Sequence, residues 1–312
     1  MTTDKTIDII CVGELLIDFI STDFAEDFSQ VHHFKRMPGG SPANLSMNLS
    51  RLGKQAILIA CVGEDNMGNY LRNYCGGLGL DVRYIHRLTD APTTLILVTR
   101  SKEVSSFEAY RMADAQIRPE FLPMSLLSST KLFHTTCFAL SREPARSSIL
   151  EAAAKVVDAG GQLSIDANYA PKIWPNQQEA QQIMQAYCRQ SALVKISEVD
   201  WERLYGQPLA DPQAALDHFL ALGASEVCVT LGGEGCWVAD AREALFLEAR
   251  SVEVKDTTGA GDAFWSGYLS AWLDQKSLRD KALTARSMAE LKLTHFGPLP
   301  PKVDLLVDEE PA

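Results

Sequence analysis

The chain has 312 residues, of which 46% are hydrophobic and 22% charged, the composition of a globular protein with a sizeable core. A net charge of −11, a pI near 5.1 and no stretch rich in lysine and arginine argue against nucleic-acid binding, while leaving an anionic small molecule open. No apolar run is long enough to span a membrane, and the Met-Thr-Thr-Asp-Lys start lacks the form of a secretion signal. Seven cysteines without a Cys-x-x-Cys pair suit buried thiols in a reducing cytoplasm.

Ile7 to Ile20 reads as one nearly continuous apolar strand, the pattern expected when both faces are covered, with Asp18 near its end. Open α/β sheets place ligands at the carboxyl ends of strands, so Asp18 is a candidate to accept hydrogen bonds from substrate hydroxyls; a solvated strand end explains it equally well. Residues 21 to 36 are more polar and read as a loop or an edge hairpin. Pro38-Gly39-Gly40-Ser41-Pro42-Ala43-Asn44 follows, then a helical pattern (Leu45, Leu49, Leu52) stopped by Gly53. Gly39 and Gly40 let backbone approach a ligand, and Asn44 offers the donor and acceptor that suit a sugar hydroxyl. A capped helix start without a ligand accounts for the same residues.

Ala56 to Val62 is a second strand, leading through Gly63 to Gly68 into a helix. Thr93 to Thr99 is apolar and β-branched, a polar turn follows at Ser101-Lys102-Glu103, and Phe107 to Arg111 reads as the returning hairpin partner. Segments near 19–37 and 93–112 therefore lie outside the β–α alternation, as a small β-sheet lid inserted in a single domain over 1–312 would. Tyr110 and Arg111 are candidates to touch a substrate from that lid.

From about residue 130 the alternation is regular. Strands at Lys131–Cys137, Gln162–Asp166, Ala192–Ile196 and Glu226–Leu231 alternate with helices at Pro144–Ala159, near 177–190 and at Pro212–Leu222. Such alternation predicts an α/β fold with a mainly parallel sheet flanked by helices. No internal repeat or linker is visible, and the tail from Pro298 is proline-rich and then acidic.

Two glycine-rich turns stand out. Thr230-Leu231-Gly232-Gly233-Glu234-Gly235 ends a strand and could pass beneath a nucleotide, although a tight hairpin explains its glycines as well. Neither a G-x-x-x-x-G-K-[ST] loop nor a complete G-x-G-x-x-G is present, which removes the P-loop and the dinucleotide fingerprint. The second turn is Asp256-Thr257-Thr258-Gly259-Ala260-Gly261-Asp262-Ala263-Phe264, placed between a strand-like run (Ala249 to Val254) and a helical pattern. A glycine turn at a helix N-terminus gathers free N–H groups at the positive end of the dipole, which suits an anion. A carboxylate at the mouth of such a site repels a phosphate unless it has chemical work, and taking a proton from an attacking hydroxyl is that work; the plain alternative for Asp262 is a helix cap.

The nine-residue turn resembles the second signature of the ribokinase-like (PfkB) carbohydrate kinases, and further segments match in family order: Gly13 to Asp18, Gly39 to Asn44, Asp166 to Asn168, Lys195 to Asp200, and Thr230 to Gly235. The opening Gly-Glu-Leu-Leu-Ile-Asp-Phe and Tyr110-Arg111…Ala113-Asp114 look most like the fructokinase branch. The resemblance implies a nine- or ten-stranded sheet with a β-sheet lid over the sugar. It implies Asp262 as catalytic base, with Gly259, Ala260 and Gly261 lining the anion hole. Asp18, Gly40 and Asn44 fall on sugar positions, joined by Arg111 from the lid, while Gly39 and Tyr110 stay candidates beside them. Asn168, Ser197, Thr230, Gly232, Gly235 and Gly261 fall on ATP positions, Asp200 takes an indirect part in holding Mg²⁺, and Asp256 and Thr258 lie where many members bind a monovalent cation such as K⁺.

Three positions depart from the family pattern: Asp200 stands where a glutamate is usual, Ala170 where fructokinases carry arginine, and Arg286 where an asparagine is common. The resulting expectation is ATP-dependent phosphorylation of a sugar hydroxymethyl group, with fructose first and 2-keto-3-deoxygluconate or another sugar as the near rival. A non-catalytic sugar-binding regulator is the distant rival, and a homodimer through the lid sheet is expected because an exposed sheet edge wants covering.

Overall fold

The computed structural model describes residues 5–25, 27–100, 106–297 and 299–305. Among them are thirteen strands: β1 (Ile7–Val12), β2 (Leu16–Phe24), β3 (Phe34–Gly39), β4 (Ala56–Gly63), β5 (Ile85–Leu88), β6 (Leu95–Arg100), β7 (Phe107–Tyr110), β8 (Thr130–Thr136), β9 (Gln162–Asp166), β10 (Leu193–Ser197), β11 (Glu226–Thr230), β12 (Gly235–Asp240) and β13 (Ala244–Glu248). Nine form a central sheet in the order β13-β12-β11-β10-β9-β8-β1-β4-β5. Its pairs are parallel except β11–β12 and β12–β13. The other four form a small sheet, β3-β2-β6-β7, in which only β2 and β6 are parallel. The mainly parallel nine-stranded sheet and the separate small sheet are the architecture expected from the alternation and the resemblance.

Apolar continuity in the central strands follows from covering both faces. In β1, Ile10 and Val12 pack into one apolar layer and Ile9 and Cys11 into the other, because successive side chains of a strand point to opposite faces. Helices Ala145–Asp158, Gln177–Cys188 and Pro212–Ala221 complete the first layer. Helices Ser41–Arg51, Asn66–Gly77, Ala260–Leu273 and Leu278–Leu293 complete the second. All seven cysteines are buried free thiols within these layers or at their edges. No helix among the described residues is long and apolar enough to cross a membrane.

Two expectations about strands are corrected. The run from Ile7 to Ile20 is two strands: β1 ends at Val12, Gly13 takes a φ of +152°, and β2 starts at Leu16 in the small sheet. A Cβ on Gly13 would lie 2.7 Å from Pro42 Cγ and 2.9 Å from Ala139 Cβ, so glycine is what lets the chain cross between sheets there. Both strands are apolar, so the hydrophobic pattern alone cannot reveal the break. Asp18 is thus a residue of the small sheet, not the end of a central strand. The second correction is Ala249 to Val254, which forms no strand and instead lines a cavity. β2 and β3 pair antiparallel at the edge of the small sheet, in line with the hairpin reading of 21–36. The polar turn at 101–103, Pro298 and the tail beyond residue 305 lie outside the described residues.

Candidate active site

The glycine turn after Asp256 is built as its sequence suggests. Gly259 adopts the left-handed conformation (φ 76°) that only glycine enters without strain, and the helix Ala260–Leu273 starts immediately after it. Ala260 N–H is taken by Thr257 O and Ala263 N–H by Gly259 O, whereas the N–H groups of Gly261 and Asp262 have no partner among the described residues. Those donors, at the positive end of the helix, form a seat for an anion.

Asp262 stands in the first turn of this helix and faces the start of helix Ser41–Arg51. Ser41 Oγ donates to its Oδ1 at 2.6 Å and Asn44 Nδ2 to its Oδ2 at 2.9 Å. Burial raises its pKa against the pull of these two donors and of the Lys195 and Lys292 charges. Asp18 lines the same cavity from β2, and burial followed by the Asp262 charge pushes its pKa up to about 7. The Asp18 carboxylate lies directly against Gly39, so any side chain at 39 would displace it. Asp18, Gly40, Asn44, Asn168, Lys195 and Asp262 share a cavity of about 300 Å³.

Lys195 is a residue whose role the sequence did not disclose. Its buried Nζ pairs with Asp166 Oδ2 at 2.8 Å and lies 3.4 Å from the point where a Cβ on Gly261 would stand. Burial alone would lower its pKa, but the Asp166, Asp200 and Asp262 carboxylates outweigh that and raise it, so the ammonium stays charged beside the anion seat. Asp166 is itself raised by burial, to about 6, despite Lys195.

A continuation of this cavity is roofed by the small sheet through Ile96 and Phe107 and closed by Phe138 and Ile173, with Glu14 and Arg203 as its further charged residues. Glu14 is buried, which raises its pKa to about 8, and it accepts the Ser41 N–H at 3.1 Å. Arg111 is not brought into the cavity: its side chain has no exposed surface, pairs with Asp114 at 2.5 Å, bonds Ser141 and stacks 4.1 Å from the Phe138 ring. It backs the wall rather than forming it. Tyr110 is 56% exposed and lies on neither cavity.

A second cavity, about 680 Å³, begins where the first ends, with Gly261 on the wall of both. Ser197, Thr230, Gly232 and Gly235 line it together with apolar Val252, Val254, Phe264 and Leu293, and Arg286 stands on the same wall. The Thr230–Gly235 glycines serve both readings, since they also turn β11 into the antiparallel β12. Asn168 belongs to the first cavity, not to this one. Asp200 forms a capping box with Ser197 and accepts the Tyr169 N–H at 2.9 Å, so protein donors engage both of its oxygens. No group of three potential metal ligands occurs among the described residues. Asp256 holds the Thr258 N–H at 3.0 Å and the Lys292 ammonium at 3.3 Å; although burial opposes it, these partners keep its pKa below the usual carboxylate range. Lys292 and Ser41 were not singled out in the sequence, because each meets its partner only through the fold.

The profile of the "pfkB family carbohydrate kinase" matches residues 6–304. An ATP-dependent 6-phosphofructokinase of Thermoanaerobacterium thermosaccharolyticum is 34% identical over 94% of this chain and 90% of its own length. Probable fructokinase-3 of Arabidopsis thaliana is 34% identical over 88% and 80%. Among solved structures, the Halothermothrix orenii fructokinase superposes with a TM-score of 0.78 at 32% identity, covering 89% of this chain and 96% of that one. These likenesses make the chain a phosphotransferase acting on a sugar hydroxyl, a member of the pfkB family of carbohydrate kinases.

Proposed function

We propose that this chain is an ATP-dependent fructokinase, phosphorylating a hydroxymethyl group of fructose. The observation that carries the reading is the junction at Gly261, where the Asp262 cavity and the larger cavity share a wall. In this reading the sugar occupies the cavity of Asp18, Gly39, Gly40 and Asn44, and ATP the cavity of Ser197, Thr230, Gly232 and Gly235, with its terminal phosphate at the turn Gly259-Ala260-Gly261. Asp262 orients the attacking hydroxyl and takes its proton as the oxygen meets phosphorus. Lys195 faces the charge that develops beside Gly261. Asn168 acts at the sugar side of the junction rather than on the adenosine.

Mg²⁺ fits as an ion carried in on the phosphates, since Asp166 and Asp200 lie near the junction and no group of three potential metal ligands occurs among the described residues. When bound it supplies Lewis-acid charge to the phosphoryl group. The single domain over 1–312, a cytoplasmic location and a homodimer through the small sheet belong to the same proposal. The buried free thiols and the open edge of β3 support the last two.

Fructose is favoured over an acidic sugar by the polar groups on the cavity wall. Glu14 and Asp18 line it with carboxyl groups that burial shifts toward the neutral form and that suit hydroxyls. Of the nearby cations, Arg111 is withdrawn into its pair with Asp114, Lys195 is paired with Asp166, and Arg203 is the one cation of the continuation among the described residues. Arg203 and the 6-phosphofructokinase relative favour a second reading, a phosphorylated ketohexose. ADP release with Mg²⁺-ATP tests both across fructose, fructose 6-phosphate, 2-keto-3-deoxygluconate and ribose. Turnover with fructose supports the first, turnover confined to fructose 6-phosphate the second, and sugar binding without turnover on any of them contradicts a kinase.

A further inference from the structure

The anion-seat turn is backed by an ammonium group that belongs to the chain itself. Lys292, in the last turn of helix Leu278–Leu293, donates from Nζ to Asp256 Oδ2 at 3.3 Å and to the His295 carbonyl at 3.4 Å. The same carboxylate takes the Thr258 N–H on Oδ1 at 3.0 Å and the Gly297 N–H on Oδ2 at 3.4 Å. Lys292 Cε lies 3.8 Å from the point where a Cβ on Gly259 would stand. The two side chains are 12% and 15% exposed, so little water screens the pair. A carboxylate and a carbonyl thus coordinate a positive charge immediately behind the first residue of the anion seat, as they would coordinate a bare cation.

This arrangement disagrees with the monovalent-ion site that the family resemblance implies at Asp256 and Thr258. A second cation on this carboxylate would sit against the ammonium, and the oxygens of Asp256 and His295 are already engaged. We propose that Lys292 is a built-in cation for the anion-seat turn, fixing Asp256 and the Thr258–Gly259 backbone in place of a dissociable monovalent ion, so that the reaction does not depend on one. Lys292 touches the turn and not the reacting atoms, so it is a positioning residue.

The activity arm rests on the kinase reading above; the stability arm does not. Wild type, Lys292→Ala and Lys292→Met are compared in potassium, ammonium and tetramethylammonium chloride at equal ionic strength, by melting temperature and by ADP release. For wild type, neither readout depends on which cation is present. Lys292→Ala, which opens the space, is slow in tetramethylammonium and recovers by about tenfold or more in potassium or ammonium, the scale of one restored contact. Its melting temperature rises with potassium and not with tetramethylammonium, because only an ion bound by the folded state stabilises it. Lys292→Met keeps the bulk without the charge and is not rescued. A potassium-specific gain in wild type overturns the proposal. So does a Lys292→Ala protein that matches wild type in tetramethylammonium, or one that is slow and unresponsive in both readouts. If Lys292→Ala does not fold, the wild-type comparison across the three cations still decides, since a potassium-specific gain there overturns the proposal. If no sugar supports ADP release in wild type, the kinase reading fails while the melting comparison still decides the cation question.

Discussion

Asp18 and Asp262 are carboxylates in one cavity, and the consequence for pH has a definite sign. A carboxylate whose pKa is raised on folding favours its neutral form, so its contribution to stability is complete below the unfolded value. That contribution is lost as pH rises through the folded value. For Asp18 the window runs from the ordinary carboxylate range to about 7. Asp18→Asn is therefore expected to melt higher than wild type above that window and to lose the advantage below it, while its KM for sugar rises. Thermal melts across pH check the first part and kinetics the second. As the proposed base Asp262 must be ionised, so kcat/KM is expected to fall as pH drops through its raised pKa, with an acid limb above that of an ordinary aspartate. A limb at the ordinary carboxylate value would remove burial as the controlling factor.

Lys195 makes a third residue-scale case. Lys195→Met leaves Asp166 and Asp200 buried without their cation and removes a positive charge beside Gly261. A drop of about 10²-fold or more in kcat is expected, as for loss of one preorganised electrostatic partner. A variant that melts lower but turns over at the wild-type rate would reduce Lys195 to a structural ion pair. The sequence made Asp262 legible because its motif is contiguous. It hid Ser41, Lys195 and Lys292 because Ser41 lies 221 positions from Asp262 and Lys292 lies 36 from Asp256, and neither separation leaves a periodic trace.

Among the elements, the helix carrying Asp262 is fixed by its packing against helix Leu278–Leu293. A Cβ on Gly267 would lie 2.7 Å from Thr284 O and 2.9 Å from Ala285 Cα and Met288 Cβ, so these helices approach as closely as backbones allow. Gly267→Val overpacks that contact and is expected to cost about 1–3 kcal/mol of stability. It also shifts Lys292 relative to Asp256, so kcat falls with the melting temperature. Denaturant titration and turnover of the same variant check the coupling; unchanged stability would mean the helices give way freely. Strand and helix alternation after residue 130 was legible because short buried runs at β8 to β11 alternate with helical patterns of ten residues or more. The β1–β2 break was not, since the apolar run continues across Gly13 while the chain changes sheets.

For the whole molecule, two sheets divide the work. The central sheet carries Asp166 and Ser197 at its carboxyl ends, as open α/β sheets do with their ligands. The small sheet supplies Asp18 to the floor and Ile96 and Phe107 to the roof. Phe107→Ala is expected to raise the KM for sugar by about tenfold, the value of one partly buried ring, with little change in the KM for ATP. Comparable rises for both substrates would show that the roof serves the whole cleft.

The most direct measurement is single-turnover ADP formation by Asp262→Asn, alongside calorimetric binding of ATP and of the preferred sugar. A base at the anion seat predicts chemistry slowed by about 10²- to 10⁴-fold with both ligands still bound and the fold intact. Near-wild-type chemistry in the folded variant would contradict it and return Asp262 to the role of a helix cap.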